Sequence, residues 1–391
     1  MSQEGEYGPV ATQTMEQVLS RPVGPWQRVE GPADDVAISS RARLARNLAD
    51  VPFPPRMGDA EAQALLARVR QTGAHLPAAL GSFSFDALAD VAPLDREVLV
   101  EKHLCSPQLA RDGRGALLLR SDEQLSAMVL EEDHLRLQAL FPGLQPEAAW
   151  GLASQLDDAL EADLTWAFSD RLGYLSTCPT NLGTAMRVSV MLHLPALCWS
   201  GRIAGLLAGL GKVGLVARGL YGEGSAAAGD LFQISNQTSL GQSEEDLVAH
   251  LAAAAREIVN RERSAREALW NEARVALEDR VCRAYGILAN ARVLSSAEAL
   301  RLLSEVRFGS LLHVLPPLPA HRWTQLLVLS QPGFLQRRQG AAAPAQRDVV
   351  RATVLRQQLQ AVLGGEEAEQ GGGGAGARAD GEGDAAGSRS A

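Results

Sequence analysis

Residues 115–140, GALLLRSDEQLSAMVLEEDHLRLQAL, decide the fold class. Gly115 to Ser121 and Gln124 to Leu130 are apolar runs separated by Asp122-Glu123, the pattern of a β-hairpin. His134 to Leu140 alternates apolar and polar side chains and predicts the next strand. Working outward, Asp59 to Thr72 places Ala62, Leu65, Leu66 and Val69 at helical spacing. Pro146 to about Leu164 predicts a helix with proline in its first turn. Val213 to Arg218 and Leu231 to Gln237 predict two more strands around a glycine-rich loop. The result is an α+β pattern, an antiparallel β-sheet flanked by helices, rather than regular βαβ alternation.

From Ser243, which opens an S-x-x-D helix cap, to about Leu363, nearly everything has helical character. Four regions follow: a flexible N-terminal arm at 1–25, an α+β domain at 26–261, an all-α domain at 262–363 and a tail at 364–391. Ten of the 28 tail residues are glycine, and six acids face two arginines, so this segment cannot bury a core and is expected to be disordered. The 391-residue chain carries a net charge of -9, which argues against a sequence-independent nucleic-acid binder. All but two of its 37 basic residues are arginine, Lys102 and Lys212 being the exceptions. Composition bias explains most of that excess, so only arginine placement can carry function. Four cysteines without C-x-x-C spacing, no apolar run long enough for a bilayer and no targeting pattern predict a cytoplasmic protein. The histidines show no metal-binding spacing. Gly209 to Gly214 matches G-x-G-x-x-G but follows a helical run and opens a strand, the reverse of a dinucleotide site.

Five segments concentrate charge. In Ser39-Ser40-Arg41-Ala42-Arg43, an extended backbone puts Arg41 and Arg43 on one face, where they repel unless an anion lies between them. Taken alone, two solvated surface arginines are the plainer reading. Glu131-Glu132-Asp133-His134-Leu135-Arg136 has apolar residues on both sides and no turn residues, which suggests charges at a sheet rim; alone, it could equally be a solvated face. The stretch from Cys178 to Arg187, CPTNLGTAMR, reads as a loop entering a helix, where a thiol would have a lowered pKa; a buried inert cysteine is the alternative. Arg218-Gly219-Leu220-Tyr221-Gly222-Glu223 presents Arg218 and Glu223 from a flexible loop. In Arg347-Asp348-Val349-Val350-Arg351-Ala352 the two arginines, at i and i+4, share one helix face.

Together these segments resemble the ATP:guanidino phosphotransferases, the phosphagen kinases, and most nearly their bacterial protein-arginine kinase branch. SSRARLARN, VEKHL, EEDHLR, CPTNLGTAMR, ARGLYGEGS and RDVVRA occur in that family's order across about residues 35 to 360. The resemblance implies transfer of the γ-phosphate of ATP, with Mg2+, to arginine side chains of proteins. It implies Glu132 and Glu223 as the carboxylates that grip the guanidinium, Glu132 accepting its proton, and Cys178 as the active-site thiol. It gives the ATP phosphates to Arg41, Arg43, Arg136, Arg187 and Arg218, the first two within Ser39 to Arg43 (with Ser40 and Ala42), while Val188-Ser189-Val190-Met191 after Arg187 and Gly219 to Gly222 (with Leu220 and Tyr221) would line the same pocket through backbone groups. His103 matches a contact near the adenine or ribose. RDVVRA, with Arg347, Asp348, Val349, Val350, Arg351 and Ala352, resembles that branch's allosteric phosphoarginine pocket. The implied partners are unfolded protein substrates, a small zinc-binding activator and a Clp-type ATPase or protease in a stress response, in a dimer or larger assembly. No protein-held metal, nucleic acid or membrane partner is expected. Small-guanidine kinases carry about a hundred helical residues before the first arginine motif, which here begins at Ser39, so an open site suited to a polypeptide is expected. Leu130 departs from the family's usual asparagine, and Tyr221 from its usual arginine. The competing readings are a kinase of a free guanidino compound and a non-catalytic phosphoarginine-binding adaptor.

Overall fold

The structure is a computed structural model and describes residues 14–219, 228–340 and 343–363. Its centre is an eight-stranded antiparallel sheet. Strand β1 (Ala37–Arg46) lies near the middle, and the other strands are β2 (Phe83–Ala87), β3 (Ala116–Arg120), β4 (Leu125–Val129), β5 (Leu135–Pro142), β8 (Met186–His193), β9 (Leu215–Gly219) and β10 (Leu231–Asn236). The short pair β6 (Phe168–Ser169) and β7 (Gly173–Tyr174) stands apart. The sheet order is β2-β3-β4-β5-β1-β8-β10-β9. The β3-β4-β5 meander is the one predicted from residues 115–140, and its turn leaves Glu123 in the left-handed region at φ 65.

Helix α1 (Met15–Ser20) precedes the sheet, and its buried Val18 and Leu19 pack part of the arm expected to be flexible; α2 (Asp59–Ala74), α3 (Pro93–Glu101), α4 (Pro107–Asp112), α5 (Pro146–Glu161), α6 (Pro195–Trp199) and α7 (Ile203–Lys212) are distributed among the strands. After the sheet come α8 (Glu244–Asn290), α9 (Ser296–Leu311), α10 (Ala320–Leu329), α11 (Pro332–Gln339) and α12 (Pro344–Leu363). Ser243 caps α8 by accepting from the Asp246 amide at 3.0 Å, as the S-x-x-D pattern requires. This helix is 47 residues long and departs from helical geometry at Ala273 (φ −137, ψ 32). The 261/262 boundary expected from sequence therefore falls inside a continuous helix. At that point Glu262 is fully buried and accepts from the amides of Ala196 and Leu197 at 2.8 and 3.0 Å.

Alternation gives the central strands two unlike faces. On one, Ala42 and Leu44, Leu137 and Ala139, and Val188, Val190 and Leu192 join Ala149, Ala153, Leu156 and Leu160 of α5 in the main apolar cluster. At about 25 cal/mol per Å² of apolar surface, this face provides the main stabilisation of the sheet. The other face carries Ser39, Arg41, Arg43, Arg136, Gln138, Ser189 and Gln233 in matching register. A second cluster joins α8, α9, α10 and α12 around the fully buried Trp323. A third packs Val18, Val98, Leu99, Leu117 and Met128 against Val328, Leu329 and Phe334, bringing the C-terminal helices back to the sheet.

Candidate active site

The polar face of β1 opens into a cavity of about 480 Å³. Strand register explains the contents of its cationic end. Arg43 lies opposite Gln138 on β5 and Arg187 on β8, while Arg41 lies opposite Leu140 and Ser189. Arg136 enters from β5 one step further along, and Arg218 sits beside Gln233 on β9. Arg41, Arg43, Arg136, His103, Ser39, Ser189 and Met191 all line the cavity. Gln138, which the sequence reading missed, also lines it and donates to the His103 carbonyl at 2.9 Å. Its signal was available, because Arg136 and Gln138 are two apart on one strand.

The electrostatics of this end suit an anionic ligand. The Nε atoms of Arg41 and Arg43 are buried without a hydrogen-bond partner among the described residues. Burial, then the charges of Arg136 and Arg187, lowers the Arg41 pKa to about 10. Burial, followed by Arg41, Arg136 and Arg187, holds Arg43 well below its ordinary value, with Glu131 opposing. A guanidinium does not release its proton under ordinary conditions, so these shifts express the cost of burying two cations beside others of the same sign. His103 is exposed at the cavity wall; desolvation by the surrounding protein, then the Arg41 charge, pushes its pKa down to about 4.

Four residues of the segments expected to bind ATP have side chains that do not face the cavity. Ser40, Ala42, Val188 and Val190 point to the opposite side of the sheet, because they alternate with the cavity-lining residues. Their strands are paired on both sides, which commits their backbone groups to the sheet. Ser40 is fully buried, donates to the Gly143 carbonyl and accepts from the Gln145 amide, each at 2.8 Å, ahead of α5. Gly219 closes β9 opposite Phe232, outside the cavity lining. Leu220, Tyr221, Gly222 and Glu223 lie outside the described residues.

The acidic segment is a turn fixed from inside. Glu131 binds Arg136 at 2.5 Å and accepts from the Glu132 amide at 2.8 Å. The Glu132 carboxylate is partly exposed and has no hydrogen-bond partner among the described residues. Asp133 is buried and accepts from Asn47 Nδ2 at 2.6 Å, Ser176 Oγ at 2.8 Å and the Thr177 amide at 2.6 Å. His134 Nδ1 accepts from the Leu48 amide at 2.9 Å, so its Nε2–H donates to the Pro52 carbonyl at 2.9 Å. Asp133 and Asn47 thus clamp the Glu132 turn to the segment leading into Cys178. Asn47 was given no role from the sequence, and Asp133 was named only as a member of the acidic run. At the turn, Leu130 is in the left-handed region (φ 58), a conformation that asparagine tolerates better than leucine.

The chain around Cys178 corrects an expectation. No α-helix follows the cysteine: Pro179–Asn181 is one 3-10 turn, and β8 begins at Met186. The capping residues Thr180 and Asn181 are equally good turn formers, which is why the sequence misled. A single 3-10 turn supplies little macrodipole, so the helix N-terminus expected beside this cysteine is not there. Cys178 is half-buried, with Sγ 3.0 Å from Thr180 Oγ1. The loop also needs glycine at 183, where φ is +97 and a Cβ would lie 2.3 Å from the Ser239 carbonyl oxygen.

In the helical region, Arg351 of α12 is buried. It donates to the carbonyls of Ser330 and Leu294, both at 2.7 Å, and to Asp348 at 2.5 Å. Arg347 and Asp348 are half-buried, Val349 is exposed, Val350 half-buried and Ala352 buried in the second apolar cluster.

Two family models match the chain: ATP:guanido phosphotransferase, C-terminal catalytic domain, over residues 66–265, and protein-arginine kinase McsB C-terminal domain over residues 274–370. The interval between them contains Ala273, where α8 kinks. A protein-arginine kinase from Symbiobacterium thermophilum is 50% identical over 351 residues, covering 88% of this chain and 99% of its own. One from Geobacillus sp. is 46% identical over 350 residues, covering 89% and 97%. Among solved structures, lombricine kinase matches with a TM-score of 0.53 and 22% identity over 66% of this chain and 73% of its own, a likeness of fold. The duplicated taurocyamine kinase of Schistosoma mansoni gives a TM-score of 0.54 and 26% identity, over 66% of this chain and 36% of its own.

Proposed function

The chain belongs to the ATP:guanido phosphotransferase family and is a protein-arginine kinase; from that premise we propose how its residues divide the reaction. ATP places its phosphates among Arg41, Arg43 and Arg136, with Arg187 and Arg218 completing the cage. The observation that carries this reading is the pair of buried Nε donors on Arg41 and Arg43, side by side and without a hydrogen-bond partner among the described residues. Bidentate guanidinium contacts suit equatorial phosphate oxygens, and phosphoryl transfer depends mainly on such positioning and neutralisation. The described residues contain no group of three or more His, Cys, Asp or Glu able to hold a metal ion. Mg2+ would be held by the nucleotide's own phosphates and water, where it would neutralise their charge.

The acceptor is difficult because an arginine side chain is protonated at physiological pH. Glu132, accessible and unengaged, accepts a proton from the attacking guanidinium nitrogen. That nitrogen then forms the N–P bond as the bond from the γ-phosphorus to the β,γ-bridging oxygen breaks, and ADP leaves. Glu223 would hold the guanidinium from the other side, and Cys178 would touch it as the clamp sets its loop beside Glu132. Protein side chains, rather than a free guanidino compound, are the acceptors, in keeping with relatives similar over nearly their whole length.

The test is incubation with Mg-ATP and an unfolded model protein, with free L-arginine in a parallel reaction. Acid-labile phosphoarginine on the protein, read by mass spectrometry and lost in Glu132→Gln, is expected. Undiminished transfer by Glu132→Gln removes Glu132 from the mechanism, and preference for free arginine removes the protein substrate. A non-catalytic adaptor would give neither product.

By the same resemblance, the product marks unfolded proteins in a stress response for a Clp-type protease, with a zinc-binding activator and in a dimer or larger assembly. RDVVRA would act as a phosphoarginine sensor with Arg347 and Asp348 as its accessible groups, Arg351 anchoring them from below. No helix among the described residues is long and apolar enough to cross a membrane.

A further inference from the structure

The cavity continues well beyond its arginines. From Arg43 back to Ser39, β1 runs about 13 Å, at 3.3 Å per residue. That distance suits the passage from the terminal phosphate of a nucleoside triphosphate towards its base. At the far end the floor is Ser39, Pro142 and Met191, which face one another across three strands. The facing wall comes from remote parts of the sequence: Trp26 in the N-terminal segment, and His321 and Thr324 on α10.

Both walls are fixed in place. A Cβ on Gly31 would lie 2.3 Å from the Pro142 carbonyl oxygen, so the N-terminal segment is laid directly on the sheet. Buried Lys102 binds Glu123 at 2.8 Å, and Glu123 also binds Arg21 at 3.0 Å. On the other side, Glu101 of α3 accepts from the Gly333 and Phe334 amides at 2.6 and 2.8 Å, holding the start of α11 immediately after α10. Val328, Leu329 and Phe334 share an apolar cluster with Val98 and Leu99. Helix α10 belongs to the segment matched by the C-terminal domain model, whereas the catalytic-domain match ends at 265.

We propose that α10 is part of the nucleotide site, with His321 and Thr324 forming the wall against which the base of ATP lies. The helical C-terminal region then sets nucleotide affinity and base choice, a conclusion that rests on the reading of this cavity as the ATP site. The arginine end cannot distinguish one nucleoside triphosphate from another, since all present the same phosphates. Discrimination has to arise at the far end, where apolar Met191 and Leu327 offer surface to a flat ring and His321 offers a polar edge. Burial, then neighbouring Arg322, depresses the His321 pKa, which keeps its imidazole neutral. The Thr324 hydroxyl donates to the Ala320 carbonyl at 3.0 Å, leaving its oxygen able to accept.

The experiment measures KM for ATP and for GTP in the full chain for Thr324→Trp, His321→Ala and Arg41→Ala. Thr324→Trp should raise the KM for ATP tenfold or more with little change in the KM for protein substrate. His321→Ala should narrow the ratio of kcat/KM between ATP and GTP at least threefold. If Arg41→Ala raises the KM for ATP while both α10 variants behave as wild type, α10 is outside the site and the proposal fails. If Arg41→Ala also leaves it unchanged, the cavity is not the ATP site and the underlying reading fails. Should Thr324→Trp not fold, hydrogen exchange of the wild-type chain decides: Mg-ADP should slow exchange in residues 320–329, and unchanged exchange there overturns the proposal.

Discussion

Arg43 and Arg46 are three residues apart on one strand and do opposite work. Arg43 faces the cavity with a buried Nε that no described group accepts. Arg46 is 1% exposed, and its donors are engaged: Nε reaches both Asp157 oxygens at 3.0 and 2.9 Å, Nη2 reaches Asp157 at 2.5 Å, and Nη1 reaches the Ala45 and Thr184 carbonyls at 3.0 and 3.3 Å. Its guanidinium also stacks 3.5 Å from the Tyr174 ring centroid. Arg351 repeats the Arg46 pattern in the helical region. The difference teaches how to separate a binding arginine from a structural one: the first keeps buried donors available for an anion the protein does not supply. The second is satisfied within the chain, so its removal strands a partner.

That comparison can be broken most severely by exchanging the two outcomes. Arg43→Met should reduce phosphoarginine formation on the order of 10³-fold or more, the range seen when a charge-stabilising arginine is lost from phosphoryl transfer. Its urea midpoint should be unchanged or higher, because one member of a mutually repelling set is gone; a large fall in the midpoint would make Arg43 structural. Arg46→Met leaves Asp157 buried and unpaired, and should destabilise the chain by about 3–5 kcal/mol in urea unfolding. Unchanged stability there would remove the contrast.

Between these extremes stands the Asp133 clamp, which shapes the site without lining the cavity. Asp133→Asn loses one of the acceptors that Asn47, Ser176 and Thr177 share. It should lower kcat on the order of 10²-fold through misplacement of Glu132 and Cys178. The KM for ATP should hold, and a rise in that KM instead would mean the clamp supports the nucleotide end. The smallest effect concerns buried Glu262, whose pKa is raised to about 7 by desolvation. Its folded pKa exceeds the ordinary carboxylate value, so the folded state holds the extra proton. The stability it contributes is therefore present at low pH and lost as pH rises through 7. The difference in unfolding free energy between wild type and Glu262→Gln should grow as pH falls from 7.5 to 5.5, by at most about 1.4 kcal/mol per unit. A difference independent of pH would show that Glu262 stays ionised.

Much of the framework could be read from local pattern. The β3-β4-β5 meander and the Ser243 cap are properties of neighbouring residues, and the period-2 placement of Arg41 and Arg43 already put two cations on one face. The position of β1 between β5 and β8 could not be read, because those pairings join residues about 100 and 150 positions apart. For the same reason Asn47 gave no sign of meeting Asp133, nor α10 of closing the cavity. The Cys178 segment failed differently, since threonine, asparagine and glycine serve helix caps and tight turns alike. Arg351 was legible as a member of an i, i+4 pair, but its carbonyl partners at Leu294 and Ser330 lie in the α8–α9 and α10–α11 connections.

The length of α8 has a practical consequence for anyone dissecting this enzyme. Leu251, Ala255, Ile258, Ala265 and Leu269 sit in the sheet's apolar cluster, whereas Val281, Ala284 and Leu288, further along the same helix, sit in the cluster around Trp323. A single beam is shared by two rooms. A fragment ending at Arg261 would expose a hydrophobic socket on the sheet side and remove the Glu262 carboxylate from the start of α6. Such a fragment is expected to aggregate on expression, and its inactivity would say nothing about regulation by the missing part.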